Sequence, residues 1–96
     1  MILEIACVEI APDRHAEFEA AVERAVAEVL SQSPGFLGIT VLRGIESPEA
    51  YQLHISWETL EDHTIGFRES ERFADWRAII GGFFIAPPAV AHWSIP

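Results

Sequence analysis

Two histidines and an arginine sit where this chain is otherwise apolar, and they are where its chemistry has to be sought. At about 100° per residue, Leu60, His63 and Phe67 fall on one face of a short helical segment. Phe73, Trp76, Arg77 and Ile80 share a face in the next segment. Trp57 ends the strand that leads into this region, and His92 with Trp93 comes from the last strand. Together these side chains can line one aromatic pocket with a few polar groups inside it. Each also has a plainer reading. His63 could bond a backbone carbonyl in the core, and Arg77 could reach an acid such as Asp75 or Glu71. His54, beside Gln52 and Ser56, fits an intersubunit hydrogen bond, and His15 fits a solvated helix start.

Several chemistries lack their residues. No Gly-rich phosphate loop and no nucleophile elbow is present. The histidines are isolated, with no i,i+4 pair or carboxylate triad suited to a metal, so no metal ligands are assigned. Cys7 is the only cysteine, which excludes an internal disulfide, and its apolar strand implies an inert core thiol. What remains is acid–base work by histidine on an apolar, aromatic ligand.

The elements that must position these groups follow from periodicity. Residues 2–10 read as a strand, and Pro12-Asp13 opens a helix whose apolar stripe is Phe18, Val22, Ala25, Val26, Val29 and Leu30. Ser33-Pro34-Gly35 stops it. Residues 36–43 form a second strand. Residues 50–58 alternate cleanly, with Tyr51, Leu53, Ile55 and Trp57 on one face. Thr59 and Asp62 form a capping box, Ser70 is expected to cap the helix 71–80, and a crossover from Phe83 to Pro88 leads to a strand over 89–95. The order βαββαβ predicts one α+β domain over residues 1–96: a ferredoxin-like, four-stranded antiparallel sheet with helices on one face.

At 96 residues such a domain buries only ~60–65% of its unfolded surface, yet half its residues are hydrophobic. In the first two strands both parities carry apolar side chains, and no element is left to cover the second face. A second copy of the chain, packed sheet to sheet, is the expected cover. The surface carries 15 acidic residues against 6 arginines, with no lysine and a net charge of -9, so neither nucleic acid nor an anionic membrane is an expected partner. The start Met1-Ile2-Leu3-Glu4 has no signal-peptide pattern, and the uncharged stretch Ile79–Ala91 is too short to span a bilayer, so a cytoplasmic location is expected.

Trp57, His63, the run Phe67-Arg68-x-Ser70-x-x-Phe73, Trp76-Arg77, Phe83-Phe84 and the ending Pro87-Pro88-x-x-x-His92 give the chain a pattern that resembles the antibiotic biosynthesis monooxygenase family of dimeric α+β barrels. The resemblance implies oxygenation of a small aromatic (a phenol, anthrone or quinol) by dioxygen, without flavin, metal or other cofactor. A base removes a proton and the resulting anion passes an electron to oxygen. In that reading His63 is the base with His92 second, Arg77 stabilises the oxyanion, and Trp57, Phe67, Phe73, Trp76 and Phe83 hold the substrate. A haem-degrading branch also ends its third strand in tryptophan, but Arg77 stands where that branch has a helix histidine, and this chain has no asparagine. A non-catalytic binding module of the same fold, or an oxygen-independent isomerase or lyase, would use the same pocket.

Overall fold

The computed structural model describes residues 1–96. Strand β1 (Ile2–Glu9) leads through a 3-10 turn at Pro12–Arg14 into helix α1 (His15–Glu28). Strands β2 (Phe36–Arg43) and β3 (Ala50–Trp57) follow. After a wide helical turn over Asp62–Phe67 come helix α2 (Glu71–Ile80), a 3-10 turn at Gly81–Phe83 and strand β4 (Ala89–Trp93). All strand pairings are antiparallel, in the order β2-β3-β1-β4. This is the α+β, ferredoxin-like arrangement that the alternation of patterns predicts. The last strand is shorter than the expected 89–95.

The helices cover one face of the sheet. Tyr51, Leu53, Ile55 and Trp57 of β3 are buried there, beside Ala6, Val8 and Ile10 of the β1 segment. From α1, Phe18, Val22 and Ala25 meet them, with Val29 and Leu30 just beyond; Val26 of the expected stripe is only partly buried. On the opposite face of β1 lie Leu3, Ile5 and Cys7. Cys7 is exposed in the single chain rather than a core thiol, because its parity in β1 is the one turned away from the helices.

Two local devices place the segment that carries His63. Thr59 and Asp62 form the capping box, with the Thr59 N–H donating to Asp62 Oδ2 at 3.2 Å and the Asp62 N–H to Thr59 Oγ1 at 3.1 Å. Gly35, at φ 85°, lets its chain pass directly against the Asp62 side chain, where any Cβ would collide, and its carbonyl accepts the Glu58 N–H at 2.8 Å. Ser70 does not cap α2 through its side chain. Its hydroxyl donates instead to the Phe67 carbonyl at 2.6 Å, closing the wide turn.

Candidate active site

The turn over Asp62–Phe67 is wound wider than an α-helix: the Arg68 N–H donates to the His63 carbonyl, five residues back, at 2.9 Å. This winding drives both His63 and Phe67 inward until they are 3% exposed each. The His63 ring stacks on Trp57, with centroids 5.3 Å apart and planes within 20°. Phe67 closes on both rings from the other side, 5.6 Å from Trp57 and 6.2 Å from His63.

At the centre of this group is a carboxylate. Glu4 lies in β1 on the helix-facing side and is 5% exposed. Its Oε1 accepts the Trp57 indole N–H at 3.0 Å and lies 3.3 Å from His63 Nε2. Nδ1 of His63 is in turn 2.7 Å from Nε2 of His92, which stands opposite Glu4 in the β1–β4 register. Glu4, His63 and His92 therefore form one contiguous polar cluster, with Trp57–Glu4 and His63–His92 hydrogen bonds joined by the 3.3 Å contact between His63 and Glu4. Of His63 Nδ1 and His92 Nε2 one donates and the other accepts, and His63 Nε2 points toward Glu4. The alternative of a carbonyl-bonded core histidine does not hold.

Burial sets the proton affinities of all three. It raises the Glu4 carboxyl above its ordinary 4.5, against the lowering effects of the Trp57 hydrogen bond and the Arg68 charge. It lowers His63 from 6.5 to about 4, helped by Arg68 and His92. His92 is lowered too, by burial first and Arg68 second. At neutral pH the His63 ring beside Glu4 is thus a neutral imidazole, and the 3.3 Å contact is not an ion pair.

The group borders a cavity of about 220 Å³ between sheet and α2. Its walls are mostly apolar, including Leu53, Ile55, Phe67, Phe73, Trp76 and Ile80, and its polar rim consists of Glu4, His63, Arg68 and Arg77. A wider, open groove of about 740 Å³ runs between α1 and β2. Its polar groups are already tied together, the Tyr51 hydroxyl donating to Glu19 at 2.6 Å and Arg43 meeting Glu19 at 3.3 Å, so it offers no comparable acid–base centre. His15, expected to be solvated, belongs to that cluster, 2.9 Å from the Tyr51 hydroxyl. His54 bonds Gln52 within its own chain at 2.8 Å.

Of the residues singled out in the sequence, His63, Phe67, Phe73, Trp76 and Arg77 reach the cavity. Arg77 pairs with neither Asp75 nor Glu71; its guanidinium lies 5.8 Å above the Phe73 ring. Trp57 and His92 stand behind the wall and hold Glu4 and His63. Phe83 does not reach it. The 3-10 turn at Gly81–Phe83 sends that ring to α1, 5.8 Å from Phe18 and under the Arg14 guanidinium, and Phe84 lines the cavity instead. Sequence reasoning missed Glu4 and Arg68. The sign of Glu4 was available: it is the one acid on the parity of Ala6, Val8 and Ile10.

A family model described as antibiotic biosynthesis monooxygenase matches residues 1–79. The chain belongs to the antibiotic biosynthesis monooxygenase family. Among relatives of this family, the uncharacterized protein YczJ of Bacillus subtilis (strain 168) is 36% identical over 93 residues, covering 97% of both chains. A crystal structure from Bordetella bronchiseptica, assigned to the same monooxygenases, superposes with a TM-score of 0.92 at 38% identity, covering 99% of this chain and 96% of that one. SnoaB from Streptomyces nogalater, described as a cofactor-independent oxygenase, shares the fold with a TM-score of 0.77 at 18% identity, over 98% of this chain and 91% of its own.

Proposed function

We propose that the chain is a cofactor-independent monooxygenase acting on a small phenol, hydroquinone or activated aromatic ketone. The observation that carries this reading is the junction of an apolar, aromatic cavity with the buried Glu4–His63–His92 cluster at one end. Deprotonation of the substrate at that end leaves an electron-rich anion, which gives one electron to dioxygen. Recombination forms a hydroperoxide, and loss of water leaves a carbonyl. Apolar walls favour this course by excluding water and strengthening the few electrostatic contacts inside. Arg68 and Arg77, at the rim, are placed to balance negative charge on the bound anion.

Size narrows the substrate. A cavity of ~150 Å³ accommodates benzene, so one of about 220 Å³ favours one or two fused rings over a tricyclic anthrone. Membership of a monooxygenase family and the oxygenase description of SnoaB support the reaction type. The haem reading is disfavoured, since in the ring that would ligate iron, His63, Nδ1 is bonded to His92 and Nε2 faces the Glu4 carboxyl at 3.3 Å.

The same proposal includes a homodimer through the open sheet face. Leu3, Ile5, Cys7, Ala89, Ala91 and Trp93 share that face, and Trp93 is 57% exposed in the single chain. No helix is long and apolar enough to cross a membrane. A cytoplasmic, soluble dimer is the form in which we expect the protein to act.

Oxygen uptake by chelator-treated protein across naphthols, hydroquinones and anthrones tests the activity, with His63→Ala beside it. Enzyme-dependent uptake that falls in the variant supports the reading. Tight binding of the same compounds with no uptake would leave a binding module or an oxygen-independent enzyme.

A further inference from the structure

Of the Glu4–His63–His92 cluster, Glu4 and His63 line the cavity, and Glu4 keeps one carboxylate oxygen with no protein partner. Both contacts to Glu4 end on Oε1, from Trp57 Nε1 at 3.0 Å and His63 Nε2 at 3.3 Å. No protein group bonds Oε2. That oxygen is also not sealed away, because among fully enclosed side-chain polar atoms only Ser33 Oγ lacks a partner. Glu4 lines the cavity while His92 does not. We propose that Glu4 is the catalytic base: Oε2 takes the substrate proton, while the Trp57 indole N–H holds Oε1 and His63 packs beside it.

This rests on the oxygenase reading and adds the identity of the base to it. The substrate O–H or activated C–H bond breaks, its proton forms an O–H bond to Glu4 Oε2, and the electron pair stays on the substrate. After oxygen adds at that carbon, the Glu4 carboxylic acid gives its proton to the peroxide anion; the regenerated carboxylate then takes the remaining C–H proton as the O–O bond breaks, and hydroxide leaves with that proton as water. His63 and His92 are positioning residues in this scheme. His63 packs against Oε1, and its hydrogen bond with His92 holds the ring in place.

The surroundings suit a carboxylate base. The groups facing Glu4 are His63 from the wide turn, His92 from β4, and Arg68 and Arg77 at the cavity rim. Both imidazoles are held neutral, so they stand beside it without adding full positive charge. Burial raises Glu4 above the ordinary carboxylate range, which brings its basicity nearer to that of the group it must deprotonate.

The test separates proton removal from oxygen chemistry. Under nitrogen, exchange of the methylene hydrogens of 2-indanone with deuterated water reads the base alone; oxygen uptake with a naphthohydroquinone reads the whole reaction. Glu4→Gln keeps an acceptor for Trp57 and is expected to lower both rates by roughly 10²–10⁴-fold, the usual worth of a general base. It also removes the rising limb of the pH–rate profile, while His63→Gln weakens the rate yet keeps a limb. Formate restores part of the activity of Glu4→Ala, and imidazole does not restore His63→Ala. A folded Glu4→Gln that exchanges at the wild-type rate overturns the proposal. So does imidazole rescue of His63→Ala, or an absence of exchange by the wild type. Exchange without oxygen uptake would sustain Glu4 as the base and sink the oxygenase reading instead.

Discussion

Replacing Trp57 by Phe gives a stability loss that depends on pH. Trp57 is fully buried, and its indole N–H donates to Glu4 Oε1, which His63 Nε2 also approaches at 3.3 Å. Phenylalanine keeps most of the ring packing and removes the donor. A hydrogen bond to a charged acceptor contributes ~1.5–3 kcal/mol and one to a neutral acceptor ~1 kcal/mol; the smaller ring adds about 1 kcal/mol of lost packing. Burial raises the Glu4 pKa above 4.5 in the fold, so the group contributes most to stability when protonated and loses that contribution as pH climbs through its folded pKa. The indole donor opposes that rise, and its removal moves the pKa further up. The cost of Trp57→Phe is therefore expected at about 2 kcal/mol at an acid pH where Glu4 is protonated and roughly 2.5–4 kcal/mol at an alkaline pH where it is ionised. Urea unfolding of both proteins at the two pH values measures it. An equal cost at both would refute the claim that the indole bonds an ionising, buried carboxylate.

Other outcomes follow from the same geometry. Because His63 falls from 6.5 in the unfolded chain to about 4 in the fold, its contribution is complete above 6.5 and is lost as pH falls toward 4. Glu4 works in the opposite direction over part of that range, so Glu4→Gln should steepen the acid loss in a thermal melt series from pH 7 to 4.5. Gly35→Ala puts a Cβ against the Asp62 side chain at φ 85° and should cost at least ~2 kcal/mol, read by urea unfolding, while Gly82→Ala meets no neighbour and should be mild. Ile5→Glu, on the open sheet face, should convert the proposed dimer to a monomer in sedimentation without altering the far-ultraviolet spectrum.

The alternation of Tyr51, Leu53, Ile55 and Trp57 carried β3 and its buried face, and Thr59 with Asp62 carried the start of the following turn, because both signals are local. His63 and Phe67 read correctly as inward-facing since four residues also suit the wider winding. Phe83 and Phe84 could not be told apart: both rings meet Phe18 of α1, and one residue of 3-10 winding decides which of them also lines the cavity. Cys7 was misplaced because apolar residues on both parities of β1 hide which side faces the helices. Glu4 breaks the apolar parity visibly, but its meaning depends on Trp57, 53 positions away, and on His63 and His92, which only the folded sheet brings to it.

The most direct test of the account is the source of the oxygen in the product. Turnover of a naphthohydroquinone under ¹⁸O₂ by chelator-treated protein should give a product carrying one ¹⁸O atom, with the yield collapsing when Ile55→Trp fills the cavity. Product oxygen drawn from water, or unchanged turnover with the cavity filled, would contradict an oxygenase working at this site.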